Sequence, residues 1–437
     1  MRNTDRICEN IGVNEDGVLL FAGQSVKDLA AQYGTPLFLM DEDRIRNRMQ
    51  TYAQGMKDAF GAYGHVLYAS KAASFKRIYE LAAEAGIGVD VVSSGEIATA
   101  YRAGFPLEKA CFHSNNKTDD DIRYAMERGV GVFVVDNQEE LYAIDEIAAE
   151  RGLVQPVMLR ITPGIDPHTY AAVNTGMVDS KFGSAIETGQ AEEMTRLALT
   201  FKNIKLQGFH CHVGSQVFDS DVYLQTADIM IAFMADMHRK LGFVTEKLDL
   251  GGGYGVRYTA DDPEIDIAEN IRLVGKAVKD LIAKHNIPMP HVYMEPGRSI
   301  VADAGMTVYT MGTLKRIPGY KNYVSVDGGM CDNPRYILYG AKYTLLPATQ
   351  MLAQRNMECA VVGRCCESGD VIQENVMMPD SLKRGDLIAC LTTGAYNYSM
   401  ASNYNRIPRP PVVMLCNGAS YVAVKRETLD DITRLDV

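Results

Sequence analysis

The sequence predicts a two-part α/β and all-β architecture: a (β/α)8 TIM-type barrel followed by a C-terminal β-domain. Two observations carry this prediction. Between residues 66 and 294, eight short apolar runs alternate with amphipathic helical segments. After about residue 301 the helical periodicity fades, and short β-rich runs broken by Gly, Pro and Asp follow. Eight strands joined by seven crossovers are the pattern of a closed parallel barrel.

The predicted elements divide the chain into three parts. An N-terminal segment, 1–35, holds a strand at 18–21 and is expected to join the β-domain; the barrel spans 36–302 and the β-domain 303–437. Residues 36–40 lead into a helix at 41–60. The barrel strands are predicted at 66–70, 88–92, 111–113, 132–135, 157–161, 206–212, 248–250 and 291–294. Helices between them include 75–85, 95–103, 138–149 and 222–241. The β-domain strands include 306–312, 323–326, 360–362, 387–391 and 412–415.

Composition narrows the class of protein. The 437 residues suffice for two or three domains, and 47% hydrophobic with 23% charged residues is typical of a soluble globular chain. A net charge of −11 argues against nucleic acid or an anionic membrane as the main partner. No apolar run approaches the roughly 20 residues of a membrane span, and the polar start, 1–6, leads into no signal sequence. Nine scattered cysteines without a CxxC pair favour reduced thiols, so we expect a cytoplasmic protein.

Two consecutive barrel strands end in motifs suited to an anionic ligand. The strand at 248–250 runs into 251–255 (Gly-Gly-Gly-Tyr-Gly), where bare backbone can approach a phosphate. The next strand ends in 295–298 (Glu-Pro-Gly-Arg). A glycine-rich turn alone is more often plain turn chemistry, but barrel phosphate sites lie near strands seven and eight. The tandem therefore indicates an anionic cofactor that needs a carboxylate partner.

Lys71 follows the first barrel strand. A lysine in that position is usually a solvated strand end. At a barrel mouth beside an anion site, it is instead a candidate for imine formation with an aldehyde. An aldehyde-reactive lysine, a phosphate cradle and a carboxylate such as Glu295 together specify pyridoxal 5'-phosphate.

The sixth strand brings two histidines onto one face. His210 and His212 alternate along it, so a zinc pair is conceivable, but no third ligand has recognisable spacing and no metal is predicted. A ring of His212 stacked on a planar cofactor, with Ser215 reaching its phosphate, is the simpler interpretation. Three further polar residues at or near strand ends either act directly or only line the site: Asp90, His113 and Arg160.

These motifs resemble those of the fold-type III pyridoxal phosphate decarboxylases, whose architecture is alanine racemase-like. The resemblance rests on 68–71 (Tyr-Ala-Ser-Lys), 212–216 (His-Val-Gly-Ser-Gln), 251–255 and 295–298. Three C-terminal segments are similar to the diaminopimelate decarboxylase family in particular: 327–339, 365–370 (Cys-Cys-Glu-Ser-Gly-Asp) and 394–405. The resemblance extends from about residue 36 to 414 in the family's order. Two departures, Ala72-Ala73 for Ala-Asn and Asn397-Tyr398 for Gly-Phe, touch no residue with an assigned role.

The resemblance implies a role for each motif. Lys71 would bind the cofactor covalently, Glu295 would hold its ring nitrogen and His212 would stack on its ring. Cys366 would return a proton to the α-carbon as general acid. The phosphate would be held by Ser215, Gly253, Gly297, Arg298 and Tyr396.

The resemblance also implies a substrate and an assembly. Arg298, Arg335, Tyr339 and Tyr396 would bind the substrate, with the arginines on a distal carboxylate and Glu367 on the distal ammonium. The implied reaction is decarboxylation of meso-2,6-diaminopimelate to L-lysine and CO2, the last step of lysine biosynthesis. The segment around Cys366 would reach the partner subunit's barrel, so that a homodimer shares each active site.

Three alternatives remain open from the sequence. Sister decarboxylases acting on ornithine, arginine or lysine would give no reason for Arg335 and Tyr339, whereas carboxynorspermidine does carry a carboxylate. An alanine racemase-like enzyme would share the barrel and Lys71, but the 365–370 segment argues against it. A pyridoxal phosphate carrier or inactive homologue would have no need of both Lys71 and Cys366.

Overall fold

The computed structural model describes residues 7–165 and 180–437, so the polar start at 1–6 lies outside the described residues. The chain forms two compact units. The β-rich unit comprises the chain up to Asn47, Val256–Glu264 and Ile300–Val437, and the barrel unit comprises Arg48–Gly255 and Ile265–Ser299.

The N-terminal region contributes two separate pieces of sheet to the β-rich unit. The strand predicted at 18–21 is observed at Leu19–Phe21, but it pairs with its two neighbours in a small antiparallel sheet and does not extend the larger one. Residues Leu37–Asp41, expected only to lead into a helix, form the strand that joins the large sheet. All five are buried, and the short apolar run before Asp41 has no periodicity that would distinguish a strand from the approach to a helix. The elements are β1 (Ile11–Val13), β2 (Leu19–Phe21), β3 (Gln24–Ser25), α1 (Val26–Tyr33), β4 (Leu37–Asp41) and α2 (Glu42–Phe60).

The barrel unit confirms the predicted (β/α)8 barrel. Eight parallel strands pair in a closed ring, and a two-residue strand adds to one of them. The strands are β5 (Gly64–Ala69), β6 (Gly88–Val91), β7 (Ala110–Phe112), β8 (Val132–Val135), β9 (Gln155–Thr162), the added β10 (Ser184–Ala185), β11 (Ile204–His210), β12 (Lys247–Asp249) and β13 (His291–Met294). The helices are α3 (Lys76–Glu84), α4 (Ser94–Arg102), α5 (Asp119–Glu127), α6 (Gln138–Arg151), α7 (Gln190–Ala198), α8 (Ser220–Leu241) and α9 (Ile267–His285).

Strand ends are where the prediction and the structure differ. The sixth strand was predicted to reach His212 but ends at His210, and the third ends at Phe112, one residue before His113. Each strand ends where the parallel pairing to its neighbours ends, and that register is not visible in a single strand's sequence. As a result, His113 and His212 lie just beyond the strands, at the carboxyl edge of the barrel where active sites form.

The C-terminal part of the chain completes the β-rich unit. Its large sheet has the order β18 (Val371–Met378), β17 (Met357–Val362), β15 (Lys321–Val326), β14 (Gly305–Ile317), β4, β20 (Val412–Cys416) and β21 (Ala419–Val424). A further strand, β19 (Leu387–Leu391), pairs with β14 and with β16 (Leu345–Pro347). A buried apolar core packs residues of β4 and β14 against β2 and α1. Among the described residues, no helix combines the length and apolarity needed to cross a membrane. The elements are α10 (Arg298–Val301), β14 (Gly305–Ile317), β15 (Lys321–Val326), α11 (Arg335–Tyr339), β16 (Leu345–Pro347), β17 (Met357–Val362), β18 (Val371–Met378), β19 (Leu387–Leu391), β20 (Val412–Cys416), β21 (Ala419–Val424) and α12 (Leu429–Thr433).

Candidate active site

The glycine run after β12 is packed too closely for side chains. A Cβ on Gly252 would lie 2.0 Å from the carbonyl oxygen of Glu295, and one on Gly253 would lie 2.2 Å from that of Gly214. Gly253 also has a φ of 108°, which is open to glycine but strained for other residues. Glycine is therefore required at both positions, because the main chain here packs directly against neighbouring main chain.

Glu295, directly after β13, is the electrostatic centre of the barrel mouth. Its Oε2 lies 3.0 Å from Nε2 of His210 in a buried hydrogen bond. Nε2 of His113 lies 2.8 Å from the other carboxylate oxygen, at ion-pair distance but without hydrogen-bond alignment. Burial alone would raise the pKa of Glu295, but the two imidazoles outweigh it and hold that pKa well below its usual range. Burial lowers the pKa of His210 to about 4, so the ring is neutral at neutral pH. Its Nε2–H then donates a hydrogen bond to the carboxylate.

Asp249, at the end of β12, shares the local charge with Glu295. Its side chain is fully buried, and its Oδ1 accepts the N–H of Gly251 at 2.8 Å. Burial, reinforced by the neighbouring Glu295, raises the pKa of Asp249 well above its usual range. Two adjacent carboxyls in a low-dielectric site cannot both ionise. The pair therefore holds one negative charge, on Glu295. Asp249 also fixes the start of the glycine run through its hydrogen bond from Gly251.

Lys71 lies at the carboxyl end of β5, in a short 3-10 turn. Its Nζ is 3.6 Å from Oδ2 of Asp90, whose side chain is almost fully buried, whereas the lysine side chain is 43% exposed. Burial lowers the pKa of the His212 imidazole well below its usual range, and the positive charge of Lys71 lowers it further. Its Nδ1 accepts the N–H of Gly252 at 3.3 Å, which fixes a neutral ring. Lys71 thus combines solvent access with a buried counter-charge.

Arg298 and Ser215 bring two predicted phosphate ligands together. The Arg298 guanidinium, in a side chain that is largely buried, donates to the Ser215 hydroxyl through Nη2 at 3.0 Å and Nε at 3.3 Å. Gly297 precedes it, and a Cβ there would lie 2.9 Å from both Cβ and O of Ala69. The Pro-Gly turn therefore requires glycine because the chain end of β5 passes against it.

In the β-rich unit, Arg335 is a buried cation surrounded by tyrosines. Its Nη1 donates to the hydroxyl of Tyr343 at 2.7 Å and to that of Tyr258 at 3.2 Å. Within 7–165 and 180–437, no carboxylate lies at ion-pair distance from Arg335, and its Nε is buried without a hydrogen-bond partner. Four tyrosine rings lie 5.3–6.0 Å from its Cζ: Tyr258, Tyr339, Tyr343 and Tyr396.

The segment that carries Cys366 is fixed at Cys365 and Asp370, which we call its base, and is exposed at Cys366 and Glu367, which we call its tip. Asp370, which is buried, accepts the N–H of Cys365 at 2.6 Å and that of Met330 at 2.6 Å. Cys366 and Glu367 are both exposed, and the Glu367 carboxylate accepts from Ser368 and Gly369 of its own segment.

Tyr396 occupies a strained turn in the β-rich unit. Its φ is 62°, a left-handed conformation that is uncommon for an aromatic residue. A Cβ on Gly394 would lie 1.8 Å from the carbonyl oxygen of Val301, so the segment is packed against backbone at the glycine. Such outliers persist only where the surroundings fix them, and they concentrate at functional sites.

Several site residues were missed or left open by the sequence. His113 and His210 contact Glu295, although the sequence indicated only their positions near strand ends and left a zinc alternative for His210. The three ligand atoms of this cluster lie within 4.8 Å of one another. No motif points to Tyr258 and Tyr343, because they lie in irregular segments 77 and 8 positions from Arg335, which begins a helix.

Comparisons with known proteins identify the family. Residues 42–302 match the profile of the pyridoxal-dependent decarboxylase, pyridoxal binding domain family. Diaminopimelate decarboxylase of Bacillus subtilis is 43% identical over 97% of this chain and 96% of its own. The crystal structure of M. jannaschii diaminopimelate decarboxylase in co-complex with L-lysine has a TM-score of 0.88 at 30% identity, covering 98% of both chains. Lysine/ornithine decarboxylase from Vibrio vulnificus, complexed with putrescine, has a TM-score of 0.73 at 25% identity, covering 90% of this chain and 98% of that one.

The chain therefore belongs to the pyridoxal-dependent decarboxylases, in the branch of the diaminopimelate decarboxylases.

Proposed function

We propose that this chain decarboxylates meso-2,6-diaminopimelate to L-lysine and CO2, using pyridoxal 5'-phosphate. The observation that carries the choice of substrate is Arg335, a buried guanidinium without an acidic partner among the described residues. Buried charges are normally paired, because desolvating an unpaired ion costs several kcal/mol. A substrate carboxylate would complete the pairing, and diaminopimelate has a carboxylate at the end that does not react. Ornithine, arginine and lysine have none.

The barrel mouth fits the cofactor that the family requires. The backbone at Gly253, with the Ser215 hydroxyl and the Arg298 guanidinium, would supply donors for a phosphate. Glu295, kept ionised by its imidazole neighbours, supplies the acceptor that a protonated ring nitrogen needs. When bound, pyridoxal 5'-phosphate serves as an electron sink for the carbanion left by the departing CO2.

Each remaining role is carried by a residue of the chain. Lys71 would hold the cofactor through its aldehyde, and Asp90 keeps the lysine side chain at the barrel mouth. His212, whose neutral ring accepts the N–H of Gly252, would lie against the ring of the cofactor. Cys366 donates a proton to the α-carbon after CO2 leaves, from an exposed segment fixed at its base by Asp370.

Selection of the substrate rests on the β-rich unit together with Arg298. Arg335 holds the distal carboxylate, with Tyr339 and Tyr396 beside the guanidinium. Glu367, exposed next to Cys366, pairs with the distal ammonium. Tyr396 also contributes to the phosphate site.

The proposal includes a homodimer in the cytoplasm that shares its active sites. The resemblance implies that the Cys366 segment of one subunit serves the barrel of the other. The exposure of Cys366 and Glu367 in the single chain supports this assignment, since a proton donor and a substrate ligand have to be covered during the reaction. The barrel, 36–302, and the β-domain, 303–437, are proposed as the functional division of the chain.

The deciding experiment measures CO2 release from meso-diaminopimelate beside ornithine, arginine and carboxynorspermidine. We expect turnover of diaminopimelate to exceed that of ornithine and arginine by at least about a hundredfold, since a missing charge-assisted contact costs roughly 1.5–3 kcal/mol and leaves a buried charge unpaired. Faster turnover of carboxynorspermidine would assign the chain to that substrate instead. No CO2 from any of the four would favour an inactive homologue.

A further inference from the structure

The two ends of the Cys366 segment are held by different parts of the fold. The base is held by Asp370, whose carboxylate accepts the N–H of Cys365. Gly329 and Gly363 pack against that carboxylate so tightly that a Cβ on either would lie 2.5 Å or less from one of its oxygens. The base is therefore held by contacts within the segment and with residues 329 and 330.

The tip is held by a long-range contact. The N–H of Cys366 donates to Oδ1 of Asn405 at 2.7 Å, across 39 residues of sequence. The amides of Cys365 and Cys366 are thus bound by two acceptors from different segments. The N–H of Glu367 in turn donates to the carbonyl oxygen of Cys365 at 2.8 Å. The bonds made by the amides of Cys366 and Glu367 fix the peptide planes on both sides of Cys366, so they fix the direction in which its side chain leaves the backbone.

The backbone conformation of Asn405 indicates that the surrounding fold holds this residue in place. Asn405 has φ 52° and ψ 23°, and Arg406 follows with a φ of 58°. Asparagine tolerates the left-handed region because its short side chain bonds locally, but arginine does not. Two consecutive left-handed residues that are not glycine need external support to persist.

The C-terminal segment supplies that support. The Arg406 guanidinium donates to Asp436 at 2.6 Å and to the carbonyl oxygen of Ile432 at 3.1 Å. Asn403 donates to Glu427 at 2.6 Å, and Glu427 is also paired with Arg409. The turn at 403–406 is therefore tied on both sides to residues 427–436.

We propose that Asn405 is a positioning residue for Cys366, and that residues 427–436 brace it in that position. The role assigned to Cys366 is part of the proposed function, and this inference rests on it. The reaction would then depend on a side chain that contacts neither substrate nor cofactor.

The test compares three variants of the holoenzyme. Asn405→Gly removes the acceptor while keeping a residue that adopts the left-handed backbone, and Asn405→Asp keeps an acceptor in the same place. The matched control is Asn417→Gly, because Asn417 is also exposed, has a φ of 50° and lies in the turn between β20 and β21. Three quantities are measured: kcat and KM for diaminopimelate, the rate at which iodoacetamide alkylates Cys366 (localised by fragmentation mass spectrometry), and the thermal midpoint.

We expect Asn405→Gly to lower kcat by about tenfold with little change in KM, the loss that one hydrogen bond produces when it positions a reacting group. The alkylation rate of Cys366 should change at least about threefold, while cofactor absorbance and thermal midpoint match those of Asn417→Gly. Asn405→Asp should restore kcat, while its added negative charge keeps the alkylation rate low by disfavouring the thiolate.

Two results would overturn the proposal. One is an Asn405→Gly enzyme whose kcat and alkylation rate equal those of the control, and the other is an Asn405→Asp enzyme whose kcat is no higher than that of Asn405→Gly. A changed alkylation rate with an unchanged kcat would uphold the positioning of Cys366 and refute its role as proton donor. Failure of the inference and failure of the proposed function are therefore distinguishable.

Discussion

The barrel mouth and the Cys366 segment achieve order in different ways. At the barrel mouth, buried charged side chains are held by polar side chains: Glu295 by two imidazoles, and Arg298 by the hydroxyl of Ser215. In the β-rich unit, Cys366 and Glu367 are exposed. Their segment is held by the side chains of Asp370 and Asn405, which accept backbone N–H groups. The first arrangement is preorganised for a cofactor that stays bound. The second leaves the groups proposed to act on each incoming substrate accessible to solvent.

Glycine has a different function in each region. At the barrel mouth it lets one main chain pack directly on another, since side chains on Gly252 or Gly253 would collide with neighbouring carbonyl groups. At Gly329 and Gly363 it makes room for the Asp370 carboxylate inside the protein. The same residue type therefore accommodates main chain in one place and a charged side chain in the other, and only the neighbours distinguish them.

The largest effect is expected at the barrel mouth, from Lys71. Lys71→Arg keeps a positive charge beside Asp90 but cannot form a covalent bond with the cofactor, and we expect turnover to fall by about a thousandfold or more. In the unaltered protein, borohydride should attach the cofactor irreversibly to one lysine. Peptide mapping that finds the label on another lysine would remove Lys71 from its assigned role.

The β-rich unit is tested by Arg335→Ala. It removes a charge-assisted contact worth roughly 1.5–3 kcal/mol, so kcat/KM for diaminopimelate should fall about ten- to a hundredfold while cofactor affinity is retained. Arg384→Ala, a change at an exposed arginine that donates to the carbonyl oxygen of Gly312, is the control. Joint loss of cofactor and substrate binding would make Arg335 a structural residue.

Mixing two inactive variants tests whether the two regions act across subunits. Lys71→Ala and Cys366→Ala, mixed in equal amounts under subunit exchange, should recover about a quarter of the unaltered activity. About half the dimers would be hybrids, each with one intact site. Hybrids proven by mass spectrometry to have formed, yet inactive, would place both residues in one chain's site.

The smallest effect concerns stability and separates the two ends of the barrel. Burial lowers the pKa of both His65, near the start of β5, and His210, at the end of β11, to about 4. Between pH 6.5 and 4 the unfolded chain therefore binds protons that the folded chain does not, and stability falls as the pH falls. His65→Gln should weaken this pH dependence by about 1 kcal/mol without affecting turnover, whereas His210→Gln should weaken it and impair turnover through Glu295. Urea denaturation at pH 7 and pH 5 measures the free energy of unfolding at each pH. If that free energy changes with pH in His65→Gln as it does in the unaltered protein, the assignment to His65 is refuted.

Much of the barrel was predictable from local patterns. The alternation of apolar runs and amphipathic helices is a property of each segment, so strand count and order followed without tertiary information. The glycine run and Glu-Pro-Gly-Arg were found because they directly follow strands, and parallel strands place their carboxyl ends together. The strand β4 was missed because an apolar run of four residues, 37–40, has no period of its own.

The fold class, the family and the residue types at the barrel mouth follow from the order of residues, because they depend on periodicity and on motifs contiguous in the chain. The partners of those residues are set by tertiary contacts: two histidines on Glu295, tyrosines around Arg335, and Asn405 on the amide of Cys366. Each of these contacts is made across a loop or between strands, and its formation depends on register and on left-handed turns. The free energy of such contacts depends on burial and distance, which the order of residues does not contain.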